Sequence, residues 1–70
     1  MNQTTALDSR IVAGSRVLVN GAIAGTVTRV LDREGARGGL VEVLRDGETR
    51  RSRRFRDGGF ELGDTVTFVG

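Results

Sequence analysis

Six arginines fall within residues 45–56: Arg45, Arg50, Arg51, Arg53, Arg54 and Arg56. Only Asp46 and Glu48 oppose them there, so this stretch carries a net +4, while the other residues carry −2. The overall charge of +2 therefore conceals a patch, and a patch sets the field that an approaching partner meets. A guanidinium presents a planar donor fork that matches phosphate or carboxylate oxygens two at a time. Phosphate contacts of this kind give affinity with little sequence readout. On a strand, alternate residues point to opposite faces, so about half of these arginines can meet one phosphate track.

The residues that are missing exclude other chemistry. The chain has no histidine and no cysteine. No Ser-His or Cys-His nucleophile, no thiolate metal site and no disulfide can be built. Asp32, Glu34, Asp57, Glu61 and Asp64 lack EF-hand spacing and read as solvated loop carboxylates. The glycines do not form a phosphate loop, because no helix follows them. A non-enzymatic protein without cofactor or metal is expected. Of the three aromatics, Phe55, Phe60 and Phe68, each reads as core. Phe55, inside the basic run, is the one candidate for an exposed base-stacking platform. Arg37-Gly38-Gly39 is a single RGG and reads as loop.

Positioning the arginines falls to β-strands. Asp46-Gly47, between Leu40–Arg45 and Glu48–Arg56, is a hairpin signal, because a two-residue type I′ turn needs φ > 0 at both central positions. Such a turn sets Arg45 against Glu48, Leu44 against Thr49, Val43 against Arg50 and Glu42 against Arg51, with the first and last as ion pairs. Neither face is then clean. Arg50 and Ser52 share the face of Val41 and Val43, whereas Arg51 and Arg53 share that of Leu40 and Leu44. A hairpin tip projecting past the core, with arginine stems lying on apolar surface, reconciles the two.

The remaining strands follow from alternation and turn chemistry. Arg16–Asn20 is the first strand, extending back to Ile11-Val12 across a break at Gly14-Ser15, and Asn20-Gly21 is a second hairpin turn. Ala22–Leu31 is the second strand. Val30 is out of phase with Val27, so a bulge near Thr28-Arg29 is expected, and Gly25 marks a bend or a close backbone approach. Asp32–Gly39 reads as a loop. Asp57-Gly58-Gly59 is a turn, and Phe60-Glu61-Leu62 a short plug over a barrel end. Thr65–Val69 is the last strand, with Val66 and Phe68 inward. The expected fold is all-β, a single small five-stranded SH3-like barrel with a basic hairpin. Residues 1–10 are expected to form a flexible tail and residues 11–70 the domain.

Gly14-Ser15-Arg16-Val17-Leu18-Val19 followed by Gly25-Thr26-Val27-Thr28-Arg29-Val30 resembles the opening of SH3-like barrels of the KOW and Tudor kind. The later Val41-Glu42-Val43, the Asp-Gly turn and the final strand fit the same five-strand plan, from Gly14 to Val69. A second resemblance runs through Gly25–Val30, Val41–Gly47 and Gly63–Val66 to the OB-fold of S1 domains and bacterial initiation factor one, which implies RNA bound on the barrel face. The chain ends after the strand that follows Gly63-Asp64, so the OB plan needs Arg16–Val19 to replace its fifth strand. The SH3-like plan is preferred.

The expected function is nucleic-acid binding, to RNA or DNA, through phosphate contacts from the Arg-rich hairpin. Arg50, Arg51, Arg53 and Arg54 are the main contacts, Arg45 and Arg56 flank them, and Arg29 and Arg37 extend the patch. The alternative is a structural or adaptor subunit of a larger assembly, a virion or a macromolecular machine, docking an acidic protein surface through the same hairpin. A chain of 70 residues buries little core, which favours homo-oligomers or partner dependence. No apolar run reaches membrane-span or signal-peptide length, so a cytoplasmic protein of a prokaryote or one of its viruses is expected.

Overall fold

The fold is taken from a computed structural model that describes residues 5–35, 38–57 and 65–70. Phe60, Arg37, and the turn and plug expected over residues 58–62 lie outside the described residues. Among the described residues seven strands run in chain order: β1 Thr5–Ala6, β2 Arg16–Val19, β3 Ile23–Asp32, β4 Glu34–Gly35, β5 Gly39–Arg45, β6 Arg53–Asp57 and β7 Val66–Phe68. Among the described residues there is no helix. Five strands form one antiparallel sheet in the order β6-β5-β3-β2-β7, and β1 pairs with β4 in a separate two-stranded ladder. The chain thus runs as a meander through four strands and returns to pair the fifth against the first. The sheet does not close. Its two edges approach where the Val66 amide donates to Asp57 Oδ1 at 3.4 Å.

Alternation builds one apolar face. Val17, Val19, Val27, Val41, Val43, Phe55 and Val66 point inward and are buried, with Ile23, Val30 and Phe68 packed against them. β-branched side chains suit this pleated, half-buried surface. Val17 and Val19 alternate with Arg16 and Leu18 in β2, and Val66 and Phe68 with Thr67 in β7, as their spacing implies. Val27 pairs with Val43 and Arg29 with Glu42, which leaves Thr28 as the extra residue of a bulge. A second irregularity follows between Val30 and Asp32, and together they let the ten-residue β3 bend while keeping its valines inward. At Gly25 a Cβ would lie 2.6 Å from both Leu44 O and Val43 Cγ1, so the expected close approach is there.

The N-terminal segment packs more tightly than its polar composition suggests. Leu7 and Ile11 are core residues. The Leu7 amide donates to Arg33 O at 2.7 Å. The Arg33 guanidinium returns bonds to the carbonyls of Asp8, Ser9 and Ile11 at 3.3, 3.4 and 2.8 Å. The expected 32–39 loop therefore contains a short strand, β4, and Thr5 onward belongs to the packed unit. Ile11 reaches the core from a turn and not from an extension of β2, because Gly14 (φ 96°) and Ser15 redirect the chain. The Ser15 hydroxyl, the one buried polar side chain of this core, accepts from the Val12 amide (2.9 Å) and donates to Arg10 O (3.2 Å).

The two hairpin turns part company. Asn20 (φ 55°) and Gly21 (φ 68°) both take the left-handed conformation, and Ala22 N donates to Val19 O at 3.0 Å. At Asp46-Gly47 only Gly47 has positive φ, at 90°, so this is not the expected type I′ turn. It is closed by the Glu48 amide on Arg45 O at 3.0 Å. Replacing Gly47 by Ala puts a Cβ into this conformation at a cost of about 1–2 kcal/mol. The expected result is a thermal midpoint lower by several degrees, read by circular dichroism. An unchanged midpoint would mean that the turn relaxes freely.

The register of the Arg-rich hairpin also differs from expectation. Val43 faces Arg53, Glu42 faces Arg54, Val41 faces Phe55 and Leu40 faces Arg56. The returning strand is displaced by three residues, and residues 48–52 form an exposed connection with only Ser52 half-buried. An odd displacement exchanges the two faces of a strand. It turns Phe55 into the core at 6% exposure and moves Arg54, which the implied register sets against buried Gly39, to the outer face; an arginine, now Arg53, still lies opposite Val43 at the open end. Burying a phenyl ring is worth about 1.5–3 kcal/mol, and confining a guanidinium would cost several more. Both terms favour the observed register.

Candidate functional site

The three-residue displacement sorts the arginines by face. Arg45 lies in register with Gly25, one inward position beyond Val43, and Arg53 faces Val43. Both therefore sit on the core side of the sheet, at its open end, and both are exposed. Arg53 lies over the ring of Phe55, its Cζ 5.7 Å from the centroid. The connection folds over this end, and Arg45, Glu48, Arg51, Ser52 and Arg53 line an open pocket of about 310 Å³.

Arg54 and Arg56 stand on the opposite face. Arg54 is across from Glu42, which in turn is across from Arg29, so three strands carry a row Arg29–Glu42–Arg54. The expected Glu42–Arg51 and Arg45–Glu48 pairs are not formed. The Glu42 carboxylate instead accepts from the Thr28 hydroxyl at 2.9 Å, which the bulge brings beside it. Arg56 is half-buried and donates to Gly38 O at 3.3 Å. Arg50 is exposed and lines neither group. Phe55 is buried, so it is no exposed stacking platform, and Phe68 is covered by Arg10, whose Cζ is 4.5 Å from the ring centroid.

Ion pairing among the described residues leaves the cluster untouched. The salt bridges are Arg10–Asp8 and Arg16–Asp46, each 2.6 Å. Asp46, the nearest acid to Arg45 in sequence, is held in both oxygens by Arg16, whose Nη1 also donates to Thr26 Oγ1 at 2.9 Å. This clamp joins the hairpin turn to β2 across 30 residues of sequence, and no local motif announces it. It positions the turn and keeps Asp46 from neutralising the pocket. Among the described residues no group of three or more acidic side chains gathers as a metal site requires. No helix there is long and apolar enough to cross a membrane.

The carboxylates respond to these surroundings in opposite directions. Hydrogen bonds from Arg16 hold Asp46 below the ordinary range, and those from Arg10 bring Asp8 down to about 2. Burial raises Asp57, opposed by the Val66 amide bond. Stabilisation from Asp8 and Asp46 is present above the unfolded carboxylate value of 3.8 and fades as pH falls through their lowered values. For Asp57 the sign reverses, and its contribution is full below 3.8 and lost as pH rises through its raised value. Asp57→Asn keeps an oxygen for the Val66 amide and removes the half-buried charge. Its thermal midpoint should exceed that of the parent at pH 7, with the gain vanishing at pH 3. A gain equal at both pH values would show that burial of charge at Asp57 does not limit stability.

No protein-family model, no curated protein and no solved structure matches the chain. The functional reading therefore rests on the fold and the pocket.

Proposed function

We propose that this chain is a small SH3-like barrel of the cytoplasm, non-enzymatic, that binds nucleic acid through phosphate contacts with little sequence preference. The strand order supports the SH3-like plan over the OB plan, since the last strand pairs with the first and the four before it form a meander. The Asp57–Val66 contact between the two sheet edges is where such a barrel would close.

One observation carries the functional reading. Arg45, Arg51 and Arg53 line one open pocket, and none has a carboxylate partner among the described residues. Arginines that line one pocket without carboxylate partners set up a positive field there, and such a field attracts an anion. Arg54 and Arg56 add positive charge on the outer face, with Arg29 beyond Glu42 from Arg54, and Arg50 supplies an exposed flank. Binding to labelled duplex DNA, single-stranded DNA and RNA across a salt series tests the reading. Each neutralised phosphate contributes a slope of about −0.9 in log K against log salt on duplex and about −0.7 on single strands. No binding to any of the three at low salt would overturn it.

The adaptor reading has its own observation. Leu40 and Leu44 are half-buried on the outer face of β5, where Leu40 lies opposite Arg56. Apolar surface rimmed by arginine suits an acidic protein partner. In that case the purified protein carries no nucleic acid and self-associates or retains one partner.

A further inference from the structure

The pocket is open, and its positive charge is gathered from more than one element. Its guanidiniums arrive from three separate places: Arg45 from the end of β5, Arg53 from the start of β6 and Arg51 from the connection between them. Ser52 adds a hydroxyl donor and Glu48 a carboxylate, so the formal charge of the lining is +2. Its walls are fixed from behind. Arg53 stacks on buried Phe55, and the turn that bears Arg45 and Glu48 is tied by its own backbone bond and by the Arg16–Asp46 bridge.

A phosphodiester offers two free oxygens and one negative charge. A phosphate monoester offers three free oxygens and close to two charges at neutral pH. Three arginines lining one pocket match the second. The pocket volume of about 310 Å³ lies at the small end of ligand sites, enough for a phosphate with its attached sugar. We infer that this pocket takes a single phosphate monoester dianion, which, resting on the nucleic-acid reading above, is the terminal phosphate of a strand.

The test compares one single-stranded oligonucleotide with a 5′-phosphate, a 3′-phosphate or neither, with inorganic phosphate as a fourth probe. A strand phosphorylated at one end should bind at least about tenfold more tightly than its unphosphorylated form. That preference should shrink as pH falls from about 7.5 to about 5, through the second phosphate ionisation near 6. Arg51→Gln with Arg53→Gln should abolish the preference and leave residual binding to the unphosphorylated strand. Glu48→Gln raises the formal charge of the lining to +3, and the Coulomb gain scales with ligand charge. The phosphorylated strand should therefore gain more than the unphosphorylated one, whereas a purely structural Glu48 would give loss or no change. Equal binding of all three strands would overturn the terminal-phosphate inference and leave the nucleic-acid reading standing. Binding of inorganic phosphate, seen as shifts of the Arg51 and Arg53 amides, with no strand bound, would overturn the nucleic-acid reading and leave a phosphate pocket. No binding of any probe would overturn both.

Discussion

Replacing Arg45, Arg51 and Arg53 together by Gln is expected to lower affinity for single-stranded nucleic acid by roughly two orders of magnitude at low salt. The salt slope should fall in magnitude by about 1–2, since each neutralised charge contributes about 0.7 on a single strand. The reason is geometric. These three line one pocket, so an anion bound there would lose all its guanidinium partners at once. The control is Arg54→Gln with Arg56→Gln. It removes two charges from β6, the strand of Arg53, but from the other face, where Arg56 is already engaged with Gly38 O. That control should weaken binding by only about threefold, through the general field. Arg45, Arg51 and Arg53 are exposed and lack carboxylate partners among the described residues, so the triple variant should fold. Equal losses from the two variants would mean that net charge and not the pocket governs binding.

Gly25→Ala is expected to be the most damaging single-methyl change in the described structure. Its Cβ would lie 2.6 Å from the carbonyl oxygen of Leu44, 2.6 Å from Val43 Cγ1 and 3.2 Å from Arg45 Cα. A flexible side chain can swing away from such a contact, but a backbone carbonyl in the ladder between β3 and β5 cannot. The strands must part where the sheet is most extensively paired. Overpacking a core commonly costs about 1–3 kcal/mol, and a backbone clash belongs at or above the upper end. A 70-residue domain has about 4–10 kcal/mol of total stability, and 1 kcal/mol moves its midpoint by about 4–8 °C. A fall of roughly 15–25 °C, or loss of cooperative melting, is expected by circular dichroism. A midpoint within a few degrees of the parent would show that β3 and β5 do not approach as closely as described. Since Arg45 is in register with Gly25, this variant should also disturb the pocket, so nucleic-acid binding should fall with stability.

The two changes probe different levels of the same design. The basic pocket exists because the returning strand is out of the register that its turn signal favours. The five residues of the connection, Glu48 to Ser52, are what the displaced register leaves unpaired, and three of the five pocket residues come from them. The Arg16–Asp46 bridge then fixes the turn from the side of β2. The domain thus spends little of its small core on the site. The pocket lies beyond Val43, where both faces of the hairpin tip are wet, and its arginines need no burial.

Much of the fold is legible in the residues themselves. The period-two valines of β2, β3, β5 and β7 select the inward face. The dephasing of Val27 and Val30 announces the bulge, Gly25 the close approach, and Asn20-Gly21 a turn with two left-handed residues. These are local properties, fixed by side-chain alternation and backbone sterics within a few residues. The composition likewise marks out the basic hairpin and leaves no histidine or cysteine for catalysis.

Tertiary structure decided what competes across distance. The Asp46-Gly47 signal implied one register, but burial of Phe55 against Val41 and removal of Arg54 and Arg56 to the outer face outweighed the turn preference. That choice separated Arg45, Arg51 and Arg53 from Arg54 and Arg56. Leu7 and Ile11 entered the core because Arg33 supplies donors to the carbonyls of a polar, aperiodic segment. Asp46 was claimed by an arginine 30 residues earlier. Sequence spacing encodes which residues can share a face. Which residues meet is set by the sum of burial, charge and backbone pairing over the whole sheet, and that sum exists only once the strands have come together.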